Sequence, residues 1–395
     1  MRRKWFAVVL VGALAAAGCS SDLPDGGPDA ATTTSARSGS EFFDRAEYER
    51  QLALRTAQPV GFADAGAPAG PWEQVLDPEM VDTARFAEPG GDHHLCFSNA
   101  SVDNPWRQVG LTTMREEVEL HPEITRFTVL DAEAKDDKQI SDIRSFASQD
   151  CDALVVSPNT TATLTPAVEA ACATGVPVIV FDRGVDSDCP VTFIHPIGGF
   201  AFGADGAEFL KDEVKAGGKV LALRILPGVD VLEQRWAAAN EVFAGSGLEV
   251  VGVEFTDGDA AKTKTIVGDY LQREGRIDGV WMDSGATAVA AVEAFQDAGA
   301  PIPPFVGEDQ QDFLRTWVAE GMTAVAPTYP TFQWRTPVIA ALRILNGREV
   351  PREWVLPQPK VTQDDVRDYI AQDMPPLHYA MCGCEDMPGY PGPWK

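Results

Sequence analysis

Between residues 95 and 370 short apolar runs alternate with amphipathic stretches of ten or more residues, and few folds accept that rhythm. Runs at 95–98, 126–130, 153–157 and 176–181 read as strands, and stretches at 105–120, 138–149 and 164–173 read as helices. Strands separated by helices of that length build βαβ units and a parallel sheet. The rhythm reopens at 219–225 and continues through strands at 248–255, 279–282 and 304–307 with helices at 231–244, 262–272 and 287–298. A second sheet follows. The fold class is α/β, with two Rossmann-like lobes of parallel sheet. Pro- or Gly-bearing gaps at 196–199 and 327–330, and an extended segment at 356–362, supply three crossings between the lobes, a three-stranded hinge. The patch Gly198-Gly-Phe-Ala-Phe-Gly203 reads as part of that hinge.

One stretch carries chemistry on its face. Gly175-Val-Pro-Val-Ile-Val-Phe-Asp-Arg-Gly184 is a buried strand that delivers Asp182 and Arg183 at its carboxyl end, where open α/β sheets bind ligands. A carboxylate that accepts beside a guanidinium that donates suits the hydroxyls of a small polar solute.

The first residues are an address. Arg2, Arg3 and Lys4 precede an apolar run at 5–14 that is too short to span a bilayer, and small residues lead into Gly18-Cys19-Ser20. This resembles a bacterial lipobox, which implies a signal peptide over 1–18, cleavage before Cys19, lipidation of its thiol, and a place on the extracytoplasmic face of the cell membrane. Residues 19–91 read as a flexible tether and an extension that docks on the main body, with a helix over 41–55. A net charge of −27 argues against nucleic acid as a partner.

Six further cysteines stand in an oxidising compartment. Cys151 opens a strand and Cys172 ends the next helix at the same sheet edge, so a Cys151–Cys172 disulfide is expected. Cys96 reads as a buried thiol. The Cys382-Gly-Cys384 pair reads as disulfide chemistry, since none of the five histidines stands at metal-ligand spacing. No Walker loop, Gly-x-Ser-x-Gly elbow, His-Glu-x-x-His or Cys-x-x-Cys occurs, so an enzyme has no positive support. His195, beside the first crossing, reads as a satisfied hinge histidine.

The order of segments resembles the type I periplasmic solute-binding proteins of ABC importers, in the ribose and galactose branch. Phe97-Ser-Asn99, Asn104-Pro-Trp106, Asp152-Ala-Leu-Val-Val-Ser-Pro158, Val176 to Arg183, Val306-Gly-Glu-Asp309 and Pro359-Lys-Val-Thr362 carry the likeness. It implies that Asn104 and Trp106 stand at the rim of the first lobe, with Trp106 stacking on a sugar ring. It further places Asp182, Arg183, Arg235, Asp283 and Asp309 around a ligand. Arg107 stands where the family often has a second aromatic, and Thr328 falls near a usual Gln. By the same likeness the lobes divide as 92–197, 198–326, a return over 327–357, and 358–395 for the third crossing and the tail.

The resemblance implies a sugar-binding component of an ABC transporter that closes on a monosaccharide and delivers it to a permease, as a lipid-anchored monomer with no cofactor and no metal. A receptor for a polyol or furanosyl signal, coupled to a sensor, is the alternative, and a secreted α/β hydrolase the more distant one.

Overall fold

In the computed structural model, which describes residues 42–395, the described residues open with α1 (Arg45–Leu54), capped by the Asp44 carboxylate on the Glu47 N–H, and a two-residue strand β1 (Met80–Val81). Five strands and three helices then alternate: β2 (His93–Asn99), α2 (Pro105–Glu119), β3 (Ile124–Asp131), α3 (Asp136–Ala147), β4 (Ala153–Ser157), α4 (Thr161–Cys172), β5 (Val178–Phe181) and β6 (Thr192–Pro196). A second series follows with α5 (Gly199–Glu213), β7 (Lys219–Arg224), α6 (Asp230–Ala244), β8 (Glu249–Phe255), α7 (Ala260–Glu274) and β9 (Gly279–Met282). It ends with α8 (Ala288–Asp297), β10 (Phe305–Val306), α9 (Gln311–Glu320) and β11 (Ala324–Pro327). Last come α10 (Thr336–Leu345), β12 (Val350–Pro351), β13 (Glu353–Leu356) and β14 (Lys360–Val361).

Two six-stranded sheets result. The first has the order β13-β6-β5-β4-β2-β3 and is parallel throughout. The second has the order β14-β11-β10-β9-β7-β8 and is parallel except for β14. In each sheet the strand order turns back at one point, between β2 and β4 in the first and between β7 and β9 in the second. Loops leaving strands on either side of such a point diverge, which opens a crevice at the strands' carboxyl ends.

The chain passes between the sheets three times, after β6, after β11 and after β13, so the expected two-lobed architecture with three crossings holds. Side chains bind the crossings to one another. Gln358 Oε1 accepts from the Gly198 N–H at 2.7 Å and its amide donates back to the Gly198 carbonyl at 3.2 Å, while the Thr328 hydroxyl donates to the Pro359 carbonyl at 2.5 Å. His195 is satisfied, by Glu353 at 2.8 Å and the Pro196 carbonyl at 2.6 Å.

Several sequence expectations are corrected. The Gly198–Gly203 patch is not hinge throughout, because α5 begins at Gly199. The glycines serve close packing instead: a Cβ on Gly203 would stand 1.9 Å from the Arg235 carbonyl oxygen, so only glycine lets α5 lie this near α6. β6 and α9 lie in stretches where sequence reading named no element. The Cys151–Cys172 bond is not formed. Cys96 pairs with Cys151 and Cys172 with Cys189, at Cα separations of 5.9 and 6.1 Å, so Cys96 is not a free thiol. Cys151, just before β4, pairs across to β2, which lies next to β4 in the sheet. Cys382 pairs with Cys384 as expected. One histidine does stand beside this pair, His378, with Nε2 3.9 Å from Cys384 Sγ. The signal peptide, Cys19 and the tether lie outside the described residues.

Candidate functional site

Polar side chains stand at the carboxyl ends of strands at and beside both switch points. From the first sheet come Asn99 at the end of β2, Ser157 at the end of β4 and Asp182 just after β5. Asp182 adopts φ 70°, a left-handed conformation that a non-glycine residue holds only when its surroundings enforce it. Here its own N–H donates to the Ile194 carbonyl at 3.0 Å, and its carboxylate meets Arg107 Nη2 at 2.8 Å.

Arg107 reaches that position from the first turn of α2. Asn104 caps the helix by accepting from the Arg107 N–H at 3.0 Å, and Pro105 at the first helical position presets the backbone. The guanidinium, 2% exposed, also lies 3.2 Å from Ser157 Oγ and 3.4 Å from Asn99 Oδ1. Burial lowers its pKa, and the Asp182 charge opposes that. Arg107 therefore neutralises Asp182 directly, a pairing that sequence reading did not foresee.

The second lobe contributes a more acidic set. Arg235, on α6, donates to the Asp283 carbonyl at 2.5 Å and stands 3.5 Å from Glu308, with its guanidinium 3.9 Å over the Phe202 ring. Arg224, at the end of β7, pairs with Glu233 at 2.9 Å and stands 3.5 Å from Asp283. Asp283 accepts the Ile225 N–H at 2.7 Å. Burial nonetheless pushes its pKa up to about 7, against the pull of Arg235, that N–H and Arg224. Burial, reinforced by the Glu308 charge, likewise raises Asp309 to about 7. Glu308 is itself raised by burial, with Arg235 opposing. Buried polar atoms here lack hydrogen-bond partners: Asp283 Oδ2, Asp309 Oδ1, and the Nε atoms of Arg224 and Arg235.

Tyr329, in the second crossing, stands between the two sets. Its hydroxyl donates toward Asp182, 3.3 Å from the carbonyl and 3.4 Å from Oδ1, and the Arg235 guanidinium lies 5.1 Å from the ring centroid. The Tyr329 and Trp106 rings are 5.6 Å apart, and Trp106 Nε1 donates to the Tyr329 carbonyl at 2.8 Å. Burial and the Asp182 charge both raise the phenol's pKa. A tyrosine thus bridges the polar groups that a solute between the lobes would itself have to bridge. Beside it, a cavity of about 280 Å³ is bordered by Asp182, Arg183, Asp230, Gln234 and Tyr329.

The residues singled out from sequence divide accordingly. Arg107 pairs with Asp182, and Arg235 meets Asp283. Arg183 turns away to donate to the Asn159 carbonyl, although it still borders the cavity. Asn104 is spent on its cap and on Asp103, and Thr328 on the crossing at Pro359. Asp309 accepts the Met381 N–H from the C-terminal tail at 2.7 Å. Trp106 packs on Trp334 at 5.4 Å, and a Cβ on Gly110 would strike that same Trp334 ring at 2.3 Å. Sequence reading missed Tyr329, Arg224, Glu308, Asn99 and Ser157. Glu308 and Tyr329 each adjoin a residue that was singled out, yet no local pattern says which of two neighbours faces inward.

Compared with known proteins, the family described as "Periplasmic binding protein domain" matches residues 95–349. The ribose import binding protein RbsB of Bacillus subtilis is 28% identical over 235 residues, 60% of this chain and 76% of its own. The xylitol-binding protein of Mycolicibacterium smegmatis is 22% identical over 240 residues, 58% of this chain and 66% of its own. An ABC transporter solute binding protein from Thermobispora bispora shares the fold with a TM-score of 0.64 at 23% identity, over 73% of this chain and 90% of that one.

Proposed function

The chain belongs to the periplasmic binding protein family, and we propose that it is the extracytoplasmic sugar-binding component of an ABC transporter, taking up a monosaccharide between its lobes and delivering it to a permease. One observation carries the reading. Polar sets from the two sheets approach each other at Tyr329, and the second includes buried atoms without a hydrogen-bond partner, Asp309 Oδ1 and Arg235 Nε, together with Asp283 Oδ2, whose neighbour of opposite charge is Arg224 Nε at 3.5 Å. Such atoms are costly unless a ligand satisfies them, and vicinal hydroxyls that both donate and accept do so. Asp182, Arg183, Arg107, Arg235, Asp283 and Asp309 are the residues we assign to hydroxyls, with Trp106 at the rim and Asn104 and Thr328 setting its geometry.

In this reading residues 92–197 and 327–357 form one lobe, 198–326 the other, and 358–395 the third crossing and the tail. Closure follows from binding, since a ligand touching both lobes favours the state in which both are near. Export directed by the leader at 1–18, which is then removed, and lipidation at Cys19 would hold the chain at the outer face of the membrane. No described helix is long and apolar enough to cross one. Among related proteins a xylitol-binding one keeps a polyol receptor as the second reading. The family is one of binding proteins, and we take this chain as a binder rather than an enzyme.

The test is a thermal-shift screen of the purified full chain against pentoses, hexoses, polyols and inositols. A ligand at one hundred times its dissociation constant stabilises by about 2.7 kcal/mol. A hit among the aldoses supports the sugar reading, a hit confined to polyols favours the second, and silence across the panel overturns both.

A further inference from the structure

The C-terminal tail holds a cluster that no part of the sugar reading uses. His378, Cys382 and Cys384 are all buried, and one ligand atom from each lies within 4.8 Å of the others. His378 Nε2 stands 3.9 Å from Cys384 Sγ, while His378 Nδ1, on a ring 2% exposed, has no hydrogen-bond partner. A sulfur and a nitrogen bound to one tetrahedral zinc ion are about 3.6 Å apart, given ordinary bond lengths. The Cys384 N–H points at Cys382 Sγ at 3.2 Å, a donor that favours a thiolate, and Glu385 Oε1 lies 3.7 Å from the same sulfur.

The other His–Cys grouping, His94 with Cys96 and Cys151, lacks this character. His94 spends Nδ1 on the Asp150 carbonyl and Nε2 on the Thr128 hydroxyl, at 2.7 and 2.8 Å, so neither ring nitrogen is left without a partner.

We propose that the Cys382–Cys384 pair in its dithiol form, with His378 as third ligand and Glu385 at hand for the fourth position, is a binding site for a thiophilic d10 cation, zinc(II) or copper(I). Binding converts two thiols to two thiolates, releases two protons, and takes the lone pair of one imidazole nitrogen. The disulfide seen here is the oxidised state of the same pocket. A phosphine and water convert it to the dithiol, with the phosphine leaving as its oxide, before any metal is added. Soft thiolates with one imidazole select these cations over calcium or magnesium. Met374 and Met387 pack in the same small core, and a cavity of about 610 Å³ bordered by His378 and Glu385 provides a way in.

The site sits where the tail ties the lobes together. The His378 carbonyl accepts the Gln311 N–H at 2.9 Å from α9 in the second lobe. Trp394, in the same core as both cysteines, donates to Thr113 on α2 in the first lobe at 3.0 Å. The Gly383 carbonyl between the cysteines accepts from Arg335 at 2.5 Å. A cation held here fixes that strap.

The experiment uses the full chain, reduced with a phosphine under anaerobic conditions, desalted, and shown by thiol titration to carry the free pair. It is then loaded separately with zinc(II) and copper(I) against a chromophoric chelator. One cation per chain beyond that held by the Cys382→Ser/Cys384→Ser variant is expected from at least one of the two metals. His378→Gln, close in size to the native side chain, should weaken that cation's binding by about tenfold or more. Cobalt(II) added to the unaltered reduced chain should give thiolate-to-metal charge transfer of two-thiolate intensity, a readout that does not depend on any variant folding. Equal metal content in the reduced chain and the double-serine variant, or no charge transfer with the pair shown to be free, overturns the proposal. So does unchanged affinity in a folded His378→Gln chain.

Discussion

Arg107 Nη2 lies 2.8 Å from Asp182 Oδ2, with both side chains at or below 4% exposure, so the first lobe's half of the cleft is organised around one buried ion pair. Taking one partner from such a pair leaves the other charge uncompensated, at a cost of about 3–5 kcal/mol. Asp182→Ala is therefore expected to shift the urea midpoint strongly as well as weaken ligand binding. Asp182→Asn, which keeps the size, should show the same order of loss because the charge is what Arg107 needs. An unchanged midpoint in both variants would mean that Arg107 finds another anion.

Tyr329 bridges the two polar sets and so competes with any solute that does the same. Tyr329→Ala is expected to bind the sugar found in the screen several-fold more tightly, with the gain in the association rate, because the native chain must first move the ring aside. Stopped-flow fluorescence measures both. A weaker and slower variant would place Tyr329 among the ligand's contacts instead.

Raised carboxyl pKa values give the unliganded chain a defined pH dependence. Asp283 and Asp309 sit at about 7 when folded and near the ordinary value of about 4 when unfolded. Between those limits the folded state holds more protons, so stability falls as pH rises from about 4 to about 7. Glu353 works oppositely: burial would raise it, but His195 and Arg50 outweigh that and hold it at about 2, so its contribution is lost only as pH drops below about 4. Asp283→Asn should flatten the decline between about pH 4 and about pH 7 in thermal melts, and a curve parallel to the parent would refute the assignment.

Ligand binding should reverse that proton uptake. Sugar hydroxyls that donate to Asp283 and Asp309 favour the ionised carboxylates, so affinity is expected to rise with pH through about 7 and then level. Calorimetry in two buffers of different ionisation enthalpy should register proton release near neutrality. Uptake of protons on binding would mean that the carboxyls act as donors.

Gly203 is the contact between α5 and α6 that seats Arg235. A Cβ there would meet the Arg235 carbonyl at 1.9 Å, and overpacking of this kind costs about 1–3 kcal/mol. Gly203→Ala should lower the melting temperature and, by moving Arg235, weaken the ligand as well. Full affinity in a destabilised variant would separate the helix contact from the site.

The two-sheet architecture and the position of Asp182 were legible in the sequence because both rest on local signals. Strand and helix declare themselves by hydrophobic period, and an apolar run such as Val178–Phe181 ending in Asp182-Arg183 delivers those side chains to a strand's carboxyl end whatever surrounds it. Glycine blurred the signal at α5, where residues needed for packing against α6 look from the chain alone like a turn. Which cysteines pair, which of Thr328 and Tyr329 points into the cleft, and what receives Arg107 were decided by tertiary structure. Each depends on groups far apart along the chain: Cys96 and Cys151 become neighbours only because β2 and β4 lie side by side, and Tyr329 reaches Asp182 only because the second crossing runs past the end of β5. The tail shows the same limit, since the small core around Cys382 and Cys384 closes only when Trp394 meets Thr113 on α2. Local period sets the elements, and long-range packing sets what they hold between them.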